Sequence, residues 1–177
     1  MNAETYLEHW RKIEGWTHYH WPKHEKRFRN ISAACVGRSC IDIGCGFGHS
    51  TKKLAGLYRA DWTGLEFSAG AVNAASHNFP KLKFIYSAGY DFERACRQKY
   101  DSVVCSEVIE HVEDDGAFID ALMKITGRKL ILTTPSRYVD DPGHLRLYDE
   151  AMFRHLLEGL DFTLKPVGGF YFVSILA

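Results

Sequence analysis

The sequence predicts an α/β fold in which a mostly parallel sheet is covered by helices on both faces. Three observations carry this. From residue 40 onward, short apolar runs alternate with segments of helical spacing, the pattern of repeated strand–helix–strand units. The first run leads directly into a glycine-rich turn, Ile41-Asp-Ile-Gly-Cys-Gly-Phe-Gly-His-Ser50, just before a helical segment. The chain then closes on two strand-like runs joined at Gly168-Gly169, which read as an antiparallel hairpin.

Taken in order, residues 4–14 place Tyr6, Leu7, Trp10 and Ile13 near helical spacing with polar residues between them, predicting an amphipathic helix that ends at Gly15. The next fourteen residues, Trp16 to Arg29, crowd three histidines and four Lys/Arg among aromatics, with a helix in the second half. Five strands follow at Cys40 to Cys45, Trp62 to Phe67, Lys83 to Ser87, Asp101 to Ser106 and Lys129 to Thr134. Helices are expected at about 49–58, 69–78, 91–98 and 115–126, and another at about 149–158 precedes the hairpin of Asp161 to Ala177. The whole reads as one domain: an N-terminal helical arm, 1–34, on a core of 35–177.

Composition narrows the function classes. A length of 177 residues, 46% of them hydrophobic, suits one compact core. With 22 Lys+Arg against 22 Asp+Glu, no net field draws the chain to nucleic acid or an anionic membrane. No apolar run approaches the roughly 20 residues of a spanning helix, and the first residues lack a signal peptide's basic start and apolar run, so a cytoplasmic location is expected. Five cysteines without a Cys-x-x-Cys are expected to be reduced and buried.

The glycine turn predicts a bound ligand. Glycines there let a backbone approach a ligand closely, and the following helix start offers unpaired N–H groups. Glu66 closes the second strand 22 residues after Gly44, where a carboxylate can accept from both hydroxyls of a ribose. The dinucleotide fingerprint, however, is Gly-x-Gly-x-x-Gly, and here the third glycine comes one residue early, with His49 in its place. Asp42, two residues before the first glycine, is poorly placed beside a pyrophosphate but suits a ligand carrying an ammonium group and a cationic centre. Together these point away from NAD.

Asp42-Ile-Gly-Cys-Gly-Phe-Gly, then Glu66-Phe, Tyr100-Asp-Ser-Val-Val-Cys-Ser-Glu-Val-Ile-Glu-His111 and Leu132-Thr-Thr-Pro135 resemble class I S-adenosylmethionine-dependent methyltransferases, in order, over residues 35–177. The resemblance implies a doubly wound, Rossmann-like sheet of seven strands, order 3-2-1-4-5-7-6, with the last strand antiparallel. It implies S-adenosylmethionine as cofactor and S-adenosylhomocysteine as product. Asp42, Gly44, Cys45 and Gly46 would hold the methionine part, Glu66 the ribose, and Phe67 would lie beside the adenine. Ser87, Ala88, Ser106 and Glu107 complete the implied cofactor contacts. At Ala88 many relatives carry an Asp that accepts from the adenine amino group, so adenine here falls to backbone groups, Ser87 or Tyr90.

Residues 107–120 hold six carboxylates and no Lys or Arg. A helical turn would put Glu107, Glu110 and His111 on one side, and His144, after the fifth strand, can reach the same rim. Carboxylates and imidazoles together suit a divalent ion of the Mg, Mn or Zn type. This Glu-x-x-Glu-His with a later His resembles the metal site of small-RNA 2′-O-methyltransferases and a segment of ubiquinone-biosynthesis O-methyltransferases. The same segment occurs in metal-free relatives, and the favoured expectation is no metal, with His111 and His144 facing the acceptor and His111 as candidate general base. Arg146 and Tyr148 are expected at the substrate rim. The His18–Arg29 cluster reads as a packed arm with a solvated basic face, a lid, or a nucleic-acid contact.

The expected function is methyl transfer to an O or N nucleophile of a small-molecule acceptor, with the N-terminal arm or a partner protein shaping the pocket and a partner protein or homodimer as the expected assembly. The alternatives are a non-catalytic binding subunit that activates a partner, an RNA methyltransferase, and an NAD-dependent oxidoreductase.

Overall fold

The computed structural model describes residues 22–139, 141 and 143–177. The helix expected over 4–14 and the aromatic start of the next segment lie outside the described residues. Helix α1 (Pro22–Ala34) leads into strand β1 (Ser39–Ile43), followed by α2 (His49–Leu57), β2 (Asp61–Glu66), α3 (Ala69–Asn78), β3 (Lys83–Tyr86), α4 (Phe92–Cys96) and β4 (Tyr100–Ser106). A single 3₁₀ turn (Ile109–His111), α5 (Asp115–Ile125), β5 (Thr126–Pro135), α6 (Glu150–Leu156), β6 (Phe162–Val167) and β7 (Phe170–Leu176) complete the chain.

The seven strands form one sheet in the order β3-β2-β1-β4-β5-β7-β6. β1 to β5 pair in parallel, and β7 runs antiparallel to both β5 and β6. Because β2 and β3 build outward from one side of β1 while β4 and β5 build from the other, the carboxyl end of β1 is a switch point, where the flanking connections diverge and leave a crevice. The glycine turn sits there.

Strand alternation decides which way the side chains point. Ile41, Ile43, Val103, Cys105, Leu130 and Leu132 face one side and pack with Phe92, Phe118, Leu122 and Phe153 of α4, α5 and α6. Cys40, Val104 and Ile131 face the other and pack with Phe28, Ile31 and Leu54 of α1 and α2. Asp42 falls in the second set by parity, so the one acid inside β1 is directed at α1 and α2. Helix α1 is thereby part of the core, with Phe28 and Ile31 fully buried. The five cysteines are free thiols, all buried.

Element boundaries differ from the sequence expectation where backbone geometry intervenes. β1 ends at Ile43 rather than Cys45, because Gly44 already adopts φ +70°. A side chain at Gly44 would also bring its Cβ within 2.5 Å of Val108 Cγ2. β5 starts three residues early: α5 passes into it without a loop, and the Thr126 hydroxyl donates to Leu122 O at 2.7 Å. α4 is shorter than expected and stops at Arg97, whose φ of 58° is left-handed. No helix among the described residues is long and apolar enough to cross a membrane.

Candidate functional site

Two buried acids frame the glycine turn. Asp42 Oδ2 accepts from the Ser50 hydroxyl at 2.6 Å and the Thr51 hydroxyl at 2.7 Å, both on the first turn of α2. Burial nevertheless pushes its carboxyl up to about 6, against the pull of those two hydroxyls and of the Arg27 charge. Glu66 closes β2 and accepts from three backbone amides: Gly46 N at 2.8 Å on Oε2, and Phe67 N at 2.8 Å and Ser68 N at 3.0 Å on Oε1. A carboxylate has about four acceptor positions, so roughly one remains, on Oε2. Burial still outweighs the three amides and holds the Glu66 carboxyl above its ordinary value. The open face of the turn is at Gly46, where an added Cβ would meet nothing within 4 Å.

Arg27 of α1 reaches the same end of the sheet. Its side chain is 5% exposed, and its Nη1 lies 3.1 Å from Glu107 Oε2. The guanidinium sits between the rings of Phe28 and Phe170, 5.2 and 4.9 Å from their centroids. Its charge bears on Asp42, Glu107 and Glu110 alike, and Nε has no hydrogen-bond partner among the described residues. Glu107 has a φ of 59°, directly after β4, and also accepts from the Thr133 hydroxyl at 3.2 Å. Thr133 in turn shares a 2.8 Å hydrogen bond with the Ser106 hydroxyl.

Beyond Glu107 the chain makes its 3₁₀ turn, and the loop after β5 comes alongside: Leu145 N donates to Glu110 O at 2.8 Å. This brings His144 to His111, with ring centroids 4.7 Å apart in an edge-on arrangement. His111 Nδ1 is 2.9 Å from Gly143 O; a carbonyl can only accept, so the proton resides on Nδ1 and the lone pair on Nε2. Glu110 is 1% exposed, and neither of its oxygens has a hydrogen-bond partner among the described residues. His144 Nε2 stands 4.0 Å from Glu110 Oε1 and 3.9 Å from Asp141 Oδ2. One ligand atom each from Glu110, His111 and His144 lies within 4.8 Å of the others.

Comparison with known proteins places the fold among methyltransferases. A family model described as a methyltransferase domain matches residues 40–127, from β1 to the start of β5. A probable S-adenosylmethionine-dependent methyltransferase of Mycolicibacterium smegmatis is 24% identical over 86% of this chain and 63% of its own length. Residues 40–127 belong to this methyltransferase-domain family. A ubiquinone biosynthesis O-methyltransferase of Rhodopseudomonas palustris is 36% identical over 63% of this chain and 45% of its own. The chain thus spans about half to two thirds of the length of these curated relatives. Magnesium protoporphyrin IX methyltransferase from Synechocystis, crystallised with bound SAH, superposes with a TM-score of 0.71 at 19% identity, over 98% of this chain and 95% of that one.

Within this fold the sequence-predicted residues divide. Asp42, Gly44, Gly46 and Glu66 converge on the glycine turn. Cys45 is there only through its backbone, because its Sγ points into the sheet, 2.7 Å from where a Cβ on Gly64 would stand. Ser87 is buried, with its hydroxyl donating to Gly89 O at 2.9 Å, while Ala88 is exposed. Phe67 packs towards Phe92, ring centroids 6.1 Å apart. Glu107 does not join Glu110, His111 and His144: the turn is 3₁₀ and starts only at Ile109, and Arg27 and Thr133 hold the Glu107 carboxylate elsewhere.

One rim expectation is corrected. Tyr148 is a core residue, stacked on Phe153 at 4.8 Å, with its hydroxyl donating to Asp115 Oδ2 at 2.8 Å. Residues 144–148 alternate inward and outward, and parity puts Tyr148 inside with His144. Arg146, partly exposed on the same side as His144, pairs with Asp115 and donates to Glu113 O. The residue sequence reasoning missed is Arg27, read as part of a solvated basic face. Its signal was the stripe His24, Arg27, Phe28, Ile31 and Cys35, which recurs at helical spacing and is buried throughout.

The raised Asp42 carboxyl fixes a pH dependence. A native value near 6, against an ordinary 3.8, means that the folded state holds the proton more tightly. That contribution is complete below about pH 4 and lost as pH rises through 6. Measured by urea unfolding across this range, wild type should lose about 3 kcal/mol relative to Asp42→Asn. Parallel curves would show that Asp42 ionises normally.

Proposed function

We propose that this chain binds S-adenosylmethionine at the glycine turn and transfers its methyl group to an O or N nucleophile of a small-molecule acceptor held near His111 and His144. The observation that carries the reading is the set of buried charges around the turn: two carboxylates, Asp42 and Glu66, and one guanidinium, Arg27. An amino acid joined to a nucleoside needs that complement. Asp42 suits its ammonium, the unpartnered Nε edge of Arg27 suits its carboxylate, and the remaining Oε2 position of Glu66 suits a ribose hydroxyl. An added Cβ at Gly46 would meet nothing within 4 Å, so the backbone of the turn is open to a ligand there.

When bound, the cofactor supplies a methyl on a sulfonium, an electrophile that asks the protein for little beyond in-line placement of a nucleophile. His111, held with its lone pair on Nε2, then accepts the proton of an acceptor hydroxyl or ammonium. The identity of the relatives with O-methyltransferases supports an oxygen acceptor. Titration calorimetry with S-adenosylhomocysteine tests the cofactor site. Glu66→Ala and Arg27→Ala should each weaken binding by about tenfold to a hundredfold, the worth of a hydrogen bond to a charged group, while both variants stay folded by circular dichroism. Equal affinity in wild type and variant removes that residue from the site. Turnover with a library of phenols, carboxylic acids and amines separates an enzyme from a non-catalytic subunit.

Glu110 favours a second reading of the rim. An ionised carboxylate buried with no close hydrogen-bond donor, only the Arg27 charge and His144 at 4.0 Å, is costly, and it is relieved by taking a proton or a cation. Burial and the charge of Glu107 raise its carboxyl well above the ordinary range, and with His111 and His144 it makes a donor set that fits a divalent ion. Such an ion would supply Lewis-acid polarisation of an acceptor oxygen. Thermal unfolding with Mn²⁺ or Zn²⁺ decides: a rise in wild type that Glu110→Gln abolishes supports metal. No rise leaves His111 as base, and His111→Ala should then cut turnover while S-adenosylhomocysteine affinity is unchanged.

A further inference from the structure

The carboxyl-end rim of the sheet carries opposite charges at its two ends. After β4 it is acidic, with Glu110, Glu113 and Asp141 in the segments that hold His111 and His144. At the other end stands the β6–β7 turn, a two-residue loop of Gly168 and Gly169 at φ +61° and +92°. It belongs to the same rim, because Phe170 pairs with Pro135 at the end of β5 and Ser136 N donates to Gly169 O at 3.0 Å.

Two cations bracket this turn. Arg137 reaches it from the β5 side, so closely that a Cβ on Gly169 would stand 2.9 Å from its Nη2; only glycine admits the guanidinium there. Lys26 reaches it from α1, its Cδ 3.7 Å from where a Cβ on Gly168 would stand. Both side chains are exposed, and neither is paired with a carboxylate among the described residues. Glu25, beside Lys26 in sequence, is taken by Arg29 and Lys53. The amides of Gly168 and Gly169 likewise donate to no backbone acceptor among the described residues. An ammonium, a guanidinium and two turn amides are all donors, and a cluster of donors without acceptors suits an anion.

We propose that Arg137 and Lys26, at the Gly168-Gly169 turn, bind a carboxylate or phosphate of the acceptor, so that the methylated molecule is a small anion with its nucleophile directed at His111. The place of the nucleophile rests on the methyltransferase reading; the anion site does not. Neighbouring strands lie about 4.8 Å apart, so the turn on β7, two strands from β4, is about 10 Å from the end of β4. A hydroxylated aromatic acid with a short side chain has that length. The charges also fix its direction, because an acceptor bound the other way round would put its anion among Glu110, Glu113 and Asp141, which repel it.

Anion titrations of the full chain, followed by ¹⁵N NMR with sodium chloride at matched ionic strength as the blank, test the site. Sodium phosphate and sodium benzoate are the probes. The Gly168 and Gly169 amides and the Arg137 Nε–H should shift saturably; saturation by phosphate alone assigns a phosphorylated acceptor, and saturation by benzoate a carboxylate. The double variant Lys26→Ser with Arg137→Ser should bind the probe at least tenfold more weakly, with its unfolding midpoint and S-adenosylhomocysteine affinity unchanged. Shifts no larger than with chloride, or equal binding by the variant, overturn the proposal. Turnover gives a second readout: for anionic compounds that wild type methylates, KM should rise about tenfold in the variant with kcat held, while their uncharged esters are turned over alike by both proteins. Equal effects on anion and ester, or acceptors that are all neutral, overturn it too. Failure of wild type to bind S-adenosylhomocysteine is a separate result, against the methyltransferase reading, and the anion titration is run without that ligand.

Discussion

One buried cation organises the carboxyl end of this sheet. Arg27 lies among Asp42 from β1, Glu107 from the end of β4 and Glu110 from the 3₁₀ turn, three acids on separate segments that without it would repel one another at low dielectric. A buried ion pair is weak support for stability, because desolvating both partners costs about what their attraction returns. What the arrangement supplies is position. Arg27 is anchored by Phe28 and Ile31 in the core and by the aromatic faces of Phe28 and Phe170, so helix α1 is fixed in both place and rotation. Removing the cation would leave two buried acids, Asp42 and Glu110, and the half-buried Glu107 to take up protons and relax.

The ligand turn is held in the same spirit, by backbone and not by catalytic side chains. Glu66 spends three hydrogen bonds on amides of Gly46, Phe67 and Ser68, which ties the end of β2 to the glycine turn. Asp42 spends two on hydroxyls at the start of α2. Both carboxylates are thus oriented in advance, so little conformational entropy is left to lose when a ligand arrives. The price is carried by burial, which raises both carboxyls. A cationic ligand group would recover part of that cost at Asp42.

How much of this was legible in the sequence depends on the kind of signal. Strand order and the hairpin follow from apolar runs, glycine punctuation and family likeness, because local pattern and global fold agree there. The convergence of Asp42, Gly46 and Glu66 was legible too, since each sits at a strand end whose position the alternation fixes. Arg27 was not, because a cation among basic and aromatic neighbours reads as surface until its place on the buried stripe of α1 is counted. Glu107 and Tyr148 were misplaced for the opposite reason: the spacing from Glu107 was taken as helical where the chain makes a 3₁₀ turn, and the inward–outward alternation along the loop of 144–148 was not counted. A periodicity argument is only as good as the period assumed.

The central claim is that the turn, its two acids and Arg27 form a site for S-adenosylmethionine and not for a dinucleotide. Thermal unfolding of the full chain with S-adenosylhomocysteine and, separately, with NADH addresses it most directly. A ligand at a hundred times its dissociation constant stabilises the fold by about 2.7 kcal/mol, a rise of several degrees for a chain of this size. The account predicts that rise with S-adenosylhomocysteine and none with NADH. A rise with NADH alone, or with neither ligand, would contradict it.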